Sequence, residues 1–84
     1  MAEELGATFK IVDFTVIPSA EPGREGKMDA IVTYMDNAGR TRMIVIPYEE
    51  LKGKSDEEKF EIIKKKVFEH EKERLTFIGK EFKI

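Results

Sequence analysis

The sequence predicts an α+β domain in which an antiparallel β-sheet packs on one long C-terminal helix. Three observations predict this fold class. Segments rich in β-branched and aromatic residues fill the first half of the chain, a strong turn sequence separates two of them, and a capping box then opens a long amphipathic stretch. Because the chain has 84 residues, of which 40% are apolar, it has material for one hydrophobic core and therefore for one domain, residues 1–84.

The first strand is predicted over residues 8–17 and ends at Pro18. Phe9 and Ile11 share one face of the strand, whereas Val12, Phe14 and Val16 share the other. A period-two pattern that changes face midway predicts a bulge or bend near Val12 and Asp13, or burial on both faces of the strand. Residues 18–27 contain two prolines and two glycines, and we expect them to form a loop.

A β-hairpin is predicted around residues 36–39, where Asp-Asn-Ala-Gly lies between two β-rich runs. The turn sets a register in which Val32 lies opposite Ile44. Since side chains alternate along a strand, the hairpin then has two largely apolar faces. The face that we expect to contact the helix carries Ala30, Val32, Ile44 and Ile46.

One continuous helix is predicted over residues 56–77. Ser55 and Glu58 have the spacing of a capping box, and Gly79 lies where a glycine commonly follows a helix. The predicted apolar stripe consists of Phe60, Ile63, Val67, Leu75 and Ile78. Glu71 lies near the middle of this stripe, which is inconsistent with a purely apolar contact surface.

Residues 80–84 alternate between polar and apolar side chains, with Phe82 and Ile84 on one side. This alternation predicts a short final strand and gives the order β-β-β-α-β. The bent first strand leaves a second architecture open, in which the strands form a small half-open β-barrel with a helix.

Composition bounds the cellular context and the class of partner. The chain carries 15 basic and 17 acidic side chains and a formal net charge of −2, whereas proteins that bind nucleic acid or anionic membranes are usually basic. Abundant Lys and Glu with no glutamine is typical of proteins from hot environments.

We expect residues 1–7 to be a polar, disordered lead-in. No leader peptide or membrane-crossing run is recognisable, so a cytoplasmic location is expected.

No motif predicts catalysis, and we expect no enzyme activity, no cofactor and no metal site. The Gly-Lys-Ser at 53–55 resembles the end of a phosphate-binding loop, but Tyr48 stands where that loop needs its first glycine. His70 is the only histidine, and its acidic neighbours along a helix project in other directions. The chain has no cysteine, which excludes disulfides and thiolate ligands.

The favoured function is a non-catalytic interaction or assembly module that forms a homodimer through one face of its sheet. A single helix covers only one side of a sheet, and the other side of this hairpin is also apolar. A contiguous exposed apolar patch normally marks a binding surface. The predicted interface consists of Ile31, Met35, Met43 and Val45.

The alternative function is weak nucleic-acid binding through the sheet face or the lysine-bearing helix. Single-strand binding needs exposed aromatic rings beside basic residues, and a tyrosine predicted to lie opposite an arginine offers a minimal version of this arrangement. The candidate contacts are Tyr34, Arg40, Arg42, Lys64 and Lys65.

Overall fold

The computed structural model describes residues 8–84, so the predicted lead-in at 1–7 lies outside the described residues. Three strands come first in the chain, and they form one antiparallel sheet in the order β1-β2-β3. A 3-10 turn and a long helix follow. The elements are β1 (Lys10–Pro18), β2 (Met28–Met35), β3 (Thr41–Pro47), the 3-10 turn (Tyr48–Glu50) and α1 (Asp56–Phe77).

The predicted bulge in β1 is confirmed. Ile11 pairs with Tyr34 of β2 and Asp13 pairs with Thr33, so Val12 is an extra residue without a partner across the ladder. One extra residue reverses the alternation of side chains. The apolar residues at odd positions before the bulge and at even positions after it therefore point to the same face of the sheet.

The hairpin between β2 and β3 has the predicted register, with Val32 opposite Ile44 and Tyr34 opposite Arg42. The turn is closed by two backbone hydrogen bonds, each of 3.0 Å: Asp36 N–H donates to the Arg40 carbonyl, and Gly39 N–H donates to the Asp36 carbonyl. Gly39 has φ of +81°, a conformation that side chains disfavour and glycine adopts freely. Local turn chemistry therefore fixes the register.

The helix also has its predicted bounds. The Ser55 hydroxyl accepts from the Glu58 amide at 3.2 Å, and the Glu58 carboxylate accepts from the Ser55 amide at 3.0 Å, which completes the capping box. At the other end, the chain leaves the helical path at Ile78, which has an extended backbone, and Gly79 follows with φ of +90°.

Helix α1 packs on one face of the sheet, and the core lies between them. Its apolar contacts with the sheet centre on Ile63 and Val67, and Leu51 of the connector fills the end of the core. Side chains of alternate residues on β2 and β3 complete it. The buried apolar residues are Ala30, Val32, Tyr34, Ile44, Ile46, Leu51, Ile63 and Val67.

Two expectations about the ends of the fold were wrong. Within the described residues, 80–84 form no strand, so the order is β-β-β-α and the sheet stays open; the barrel alternative is not confirmed. The ends of the predicted apolar stripe, Phe60, Leu75 and Ile78, are each about half exposed. A helix of 22 residues is roughly 33 Å long and extends past strands of seven or eight residues, which are about 23–27 Å long.

The bulge leads to a sharp prediction about deletions. Deleting Val12 should leave the domain folded, because its removal joins Ile11 and Asp13 in a regular register. Deleting Thr15, the matched control, should move Val16 to the wrong face and lower the free energy of unfolding by about 2 kcal/mol or more. Denaturant unfolding followed by circular dichroism compares the two variants, and equal losses of stability would contradict the bulge assignment.

Candidate interaction surfaces

A buried carboxylate joins the helix to the sheet. Glu71 of α1 is only 2% exposed, although glutamate is rarely buried unless it is paired. One of its oxygens accepts a hydrogen bond of 2.6 Å from the Tyr34 hydroxyl of β2 and lies 3.6 Å from the Arg42 guanidinium of β3. The other oxygen accepts two hydrogen bonds from Arg74 at 3.1 and 3.2 Å. The residue that interrupts the apolar stripe is therefore the polar centre of the core.

The cluster extends from Glu71 to the hairpin turn and to β1. Arg42 also forms a 3.0 Å ion pair with Asp36, whose backbone closes the turn. The Tyr34 ring packs edge-on against Phe9 at 5.6 Å and against His70 at 6.3 Å between centroids. In residues 8–84, every buried side-chain nitrogen or oxygen has a hydrogen-bond partner. The cluster is thus a fully satisfied network.

The protonation of the cluster is fixed near neutral pH. Burial would raise the pKa of Glu71, but hydrogen bonds from Tyr34 and Arg74, together with the charge of Arg42, hold that pKa below its ordinary value. Burial, reinforced by the hydrogen bond to Glu71, raises the pKa of Tyr34. Glu71 therefore stays ionised and Tyr34 stays neutral near pH 7, which preserves the hydrogen bond between them.

A second polar cluster holds the 18–27 loop. The Arg24 guanidinium lies 2.8 Å from the carboxylate of Asp29 on β2 and 2.5 Å from that of Glu49 in the 3-10 turn. It also donates to the Met28 carbonyl at 3.1 Å and to the Ser19 hydroxyl at 3.3 Å. One side chain thus connects the loop to the start of β2 and to the 3-10 turn that follows β3.

The predicted interface residues lie together on the sheet face turned away from α1. Ile31 pairs with Val45 across the ladder, Met43 pairs with Thr33 and Met35 pairs with Thr41. Met43 is 65% exposed and Val45 is 53% exposed, while Ile31 and Met35 on the central strand are partly buried by their neighbours. We call this surface, defined by Ile31, Met35, Met43 and Val45, the outer face.

The opposite side of the sheet carries an apolar groove that the sequence did not predict. It has a volume of about 640 Å³ and lies between the start of β1 and the first half of α1. Its walls are Phe9, Ile11, Tyr34, Phe60, Ile63 and Val67, with Phe68 at one end and Lys10 and Lys64 at the rim. We call this feature the β1–α1 groove. The only sign of the groove in the sequence was Phe60, an apolar residue of the predicted stripe that is half exposed in the structure.

The candidate nucleic-acid contacts are not available as expected. Tyr34 is fully buried with its hydroxyl bonded to Glu71, so its ring presents no face on which a base could stack. Arg42 is engaged by Asp36 and Glu71. The correction follows from the register, because Tyr34 and Arg42 lie on the face that α1 covers. Of the remaining candidates, Arg40 at the turn and Lys64 and Lys65 on the helix do reach solvent.

Other sequence motifs have structural roles in the described part of the chain. Ser55 caps α1, and His70 packs half-buried beside Tyr34. Across residues 8–84, no group of three or more His, Cys, Asp or Glu side chains could hold a metal ion. The same residues contain no helix that is long and apolar enough to cross a membrane.

No protein-family model, curated protein or solved structure matches this chain. The surfaces of the chain itself are therefore the basis for inferring its function.

The buried carboxylate should make stability depend on pH. Glu71→Gln should lower the free energy of unfolding at neutral pH by roughly 1–3 kcal/mol, because charged hydrogen bonds to Tyr34 and Arg74 are weakened in a buried site. Since the pKa of Glu71 is lower in the folded state than its ordinary value of about 4.3, the unfolded state binds more protons as the solution is acidified. The contribution of Glu71 is therefore present above about pH 5 and is lost as the pH falls below about 4.

Urea unfolding of wild type and Glu71→Gln across acidic and neutral pH measures this effect. The difference in unfolding free energy between the two proteins should be constant near neutrality and shrink in acid. Glu73→Gln, on the exposed side of the same helix, is the matched control and should leave the unfolding free energy almost unchanged. A difference that does not vary with pH would contradict the assignment.

Proposed function

We propose that the protein is a non-catalytic assembly module that self-associates through the outer face of its sheet. The observation that carries the proposal is the exposure of Met43 and Val45 in the middle of β3, beside Ile31 and Met35. Large apolar side chains that are contiguous on a surface normally mark a binding site.

The free energy available from covering this face is large for a domain of this size. Full burial of an aliphatic side chain is worth roughly 1.5–3 kcal/mol, so the face offers several kcal/mol even after discounting its partly buried members. The whole stability of a small domain is about 5–15 kcal/mol. A partner that covers the outer face therefore contributes an amount comparable with folding itself.

A second copy of the chain suits the outer face geometrically. An open antiparallel sheet packs face to face on another sheet at a spacing of about 10 Å, with side chains of the two inner faces interdigitating. Two identical faces related by a twofold axis form a closed, self-complementary contact. Thr15 and Thr41 flank the apolar residues and can remain at the rim of such a contact, whereas Thr33 lies at its centre, opposite Met43.

A structural role for the polar clusters supports the non-catalytic part of the proposal. The charged groups of the Glu71 cluster bind one another, and those of the Arg24 cluster tie a loop to the sheet. Groups committed in this way are not free to bind and transform a substrate.

Met43→Glu tests the proposal. A carboxylate in the centre of an apolar contact should separate the two copies while the domain stays folded, because Met43 does not contribute to the core. Multi-angle light scattering at micromolar concentrations should show a mean molar mass of at most half the wild-type value, with an unchanged circular dichroism spectrum.

Ala38→Glu is the matched control, since it adds the same charge at the exposed hairpin turn. It should keep the wild-type mass. A wild-type protein that is monomeric throughout the micromolar range would contradict self-association, and a Met43→Glu variant with wild-type mass would place any contact elsewhere.

A further inference from the structure

The segment that follows α1 carries the most exposed apolar side chains of the described residues. Phe82 is 85% exposed and Ile84 is fully exposed, and Phe77 and Ile78 are 67% and 57% exposed. Residues 80–84 form neither helix nor strand in the described structure. We call residues 77–84 the tail. An apolar segment left unpacked on its own domain normally packs against another surface.

The β1–α1 groove is shaped to receive such a segment. Phe60 and Phe68 mark its two ends, and eight residues of helix separate them by about 12 Å. In an extended segment Phe82 and Ile84 project to the same side, about 6.6 Å apart. Two apolar anchors therefore fit within the length of the groove, while Glu81 and Lys83 project to the other side, away from it.

The tail of the same copy does not reach the centre of this groove. Gly79 lies 11 residues beyond Phe68, or about 16 Å along the helix axis. A segment turning back at Gly79 places Ile84 at most about 17 Å from it, and Phe82 at most about 10 Å. Ile84 would arrive only at the near end of the groove, while its centre beside Ile63 would stay empty. A tail from another molecule is free of this restriction.

We propose that the tail of one copy binds in the β1–α1 groove of a second copy, and that the exchange is reciprocal. This contact deepens the proposed assembly function but uses the opposite side of the sheet from the outer face. Molecules joined by both contacts form assemblies larger than a dimer.

A tryptophan reporter tests whether the tail is buried by another molecule. The chain contains no tryptophan, so Phe82→Trp introduces a single fluorophore. Its emission should shift to shorter wavelength as the protein concentration rises and return on dilution. Emission typical of water at all concentrations would overturn the proposal, and a blue shift that is independent of concentration would also overturn it by showing burial within one chain.

Cross-linking tests where the tail lies. Because the chain has no cysteine, Ile84→Cys in one preparation and Lys64→Cys in a size-tagged second preparation can form only disulfides between the introduced thiols. Mild oxidation of the mixture should yield the mixed disulfide. Lys27→Cys, in the exposed loop after β1, is the control partner, and its yield should be at least tenfold lower. Equal yields for the two partners would overturn the groove assignment.

Variants of the two surfaces separate this contact from the outer face. Phe82→Ser combined with Ile84→Ser should weaken the larger assembly roughly ten-thousandfold, since each lost anchor raises Kd about tenfold and the reciprocal contact loses four anchors, and should leave the outer-face dimer. Lys80→Ser with Lys83→Ser is the matched control. A variant with both tail serines that assembles like wild type would overturn the tail proposal alone.

Met43→Glu with an intact tail should leave only the dimer joined by exchanged tails. Met43→Glu combined with Phe82→Ser and Ile84→Ser should give a folded monomer.

Discussion

The position of the helix on the sheet depends on one buried carboxylate. Ile63 and Val67 supply apolar contact, but apolar contact alone would tolerate a helix that is rotated or shifted along the sheet. Glu71 removes this freedom, because its two oxygens are bonded to Tyr34 on the sheet and to Arg74 on the helix itself. Buried ionic groups add little net stability, but they make alternative packings costly when a partner is lost. The groove and the exposed outer face both follow from where Glu71 holds α1.

The elements encoded by local signals were predictable from the sequence. The turn at 36–39 and the Ser55 capping box each act within four residues, so they specify the hairpin register and the helix start without reference to the rest of the chain. The apolar side chains of the first strand change faces at Val12, and this equally local pattern predicted the bulge. Glu71 was noticed as an inconsistency in the stripe, but its partner Tyr34 lies 37 residues earlier in the chain, on a different element. No local sequence pattern reports a contact over that separation.

The features that sequence reasoning missed depend on tertiary placement. Residues 80–84 have the alternation of a strand, yet a strand also needs the free edge of another strand beside it. The β1–α1 groove exists because α1 lies over the β3 side of the sheet and leaves the start of β1 uncovered. The same register that grouped Met43 and Val45 also placed Tyr34 on the helix side, so the expectation that Tyr34 could contact a nucleic acid conflicted with the hairpin that was itself predicted.

The Arg24 cluster implies an order of events during folding. The hairpin is local in sequence, and closing it brings Asp29 near the segment that carries Glu49, so two carboxylates approach one another at the same end of the sheet. Their repulsion is relieved only when the 18–27 loop delivers Arg24 between them. The loop in turn docks with β1. The hairpin should therefore form early and gain its full stability late, when the first strand is added.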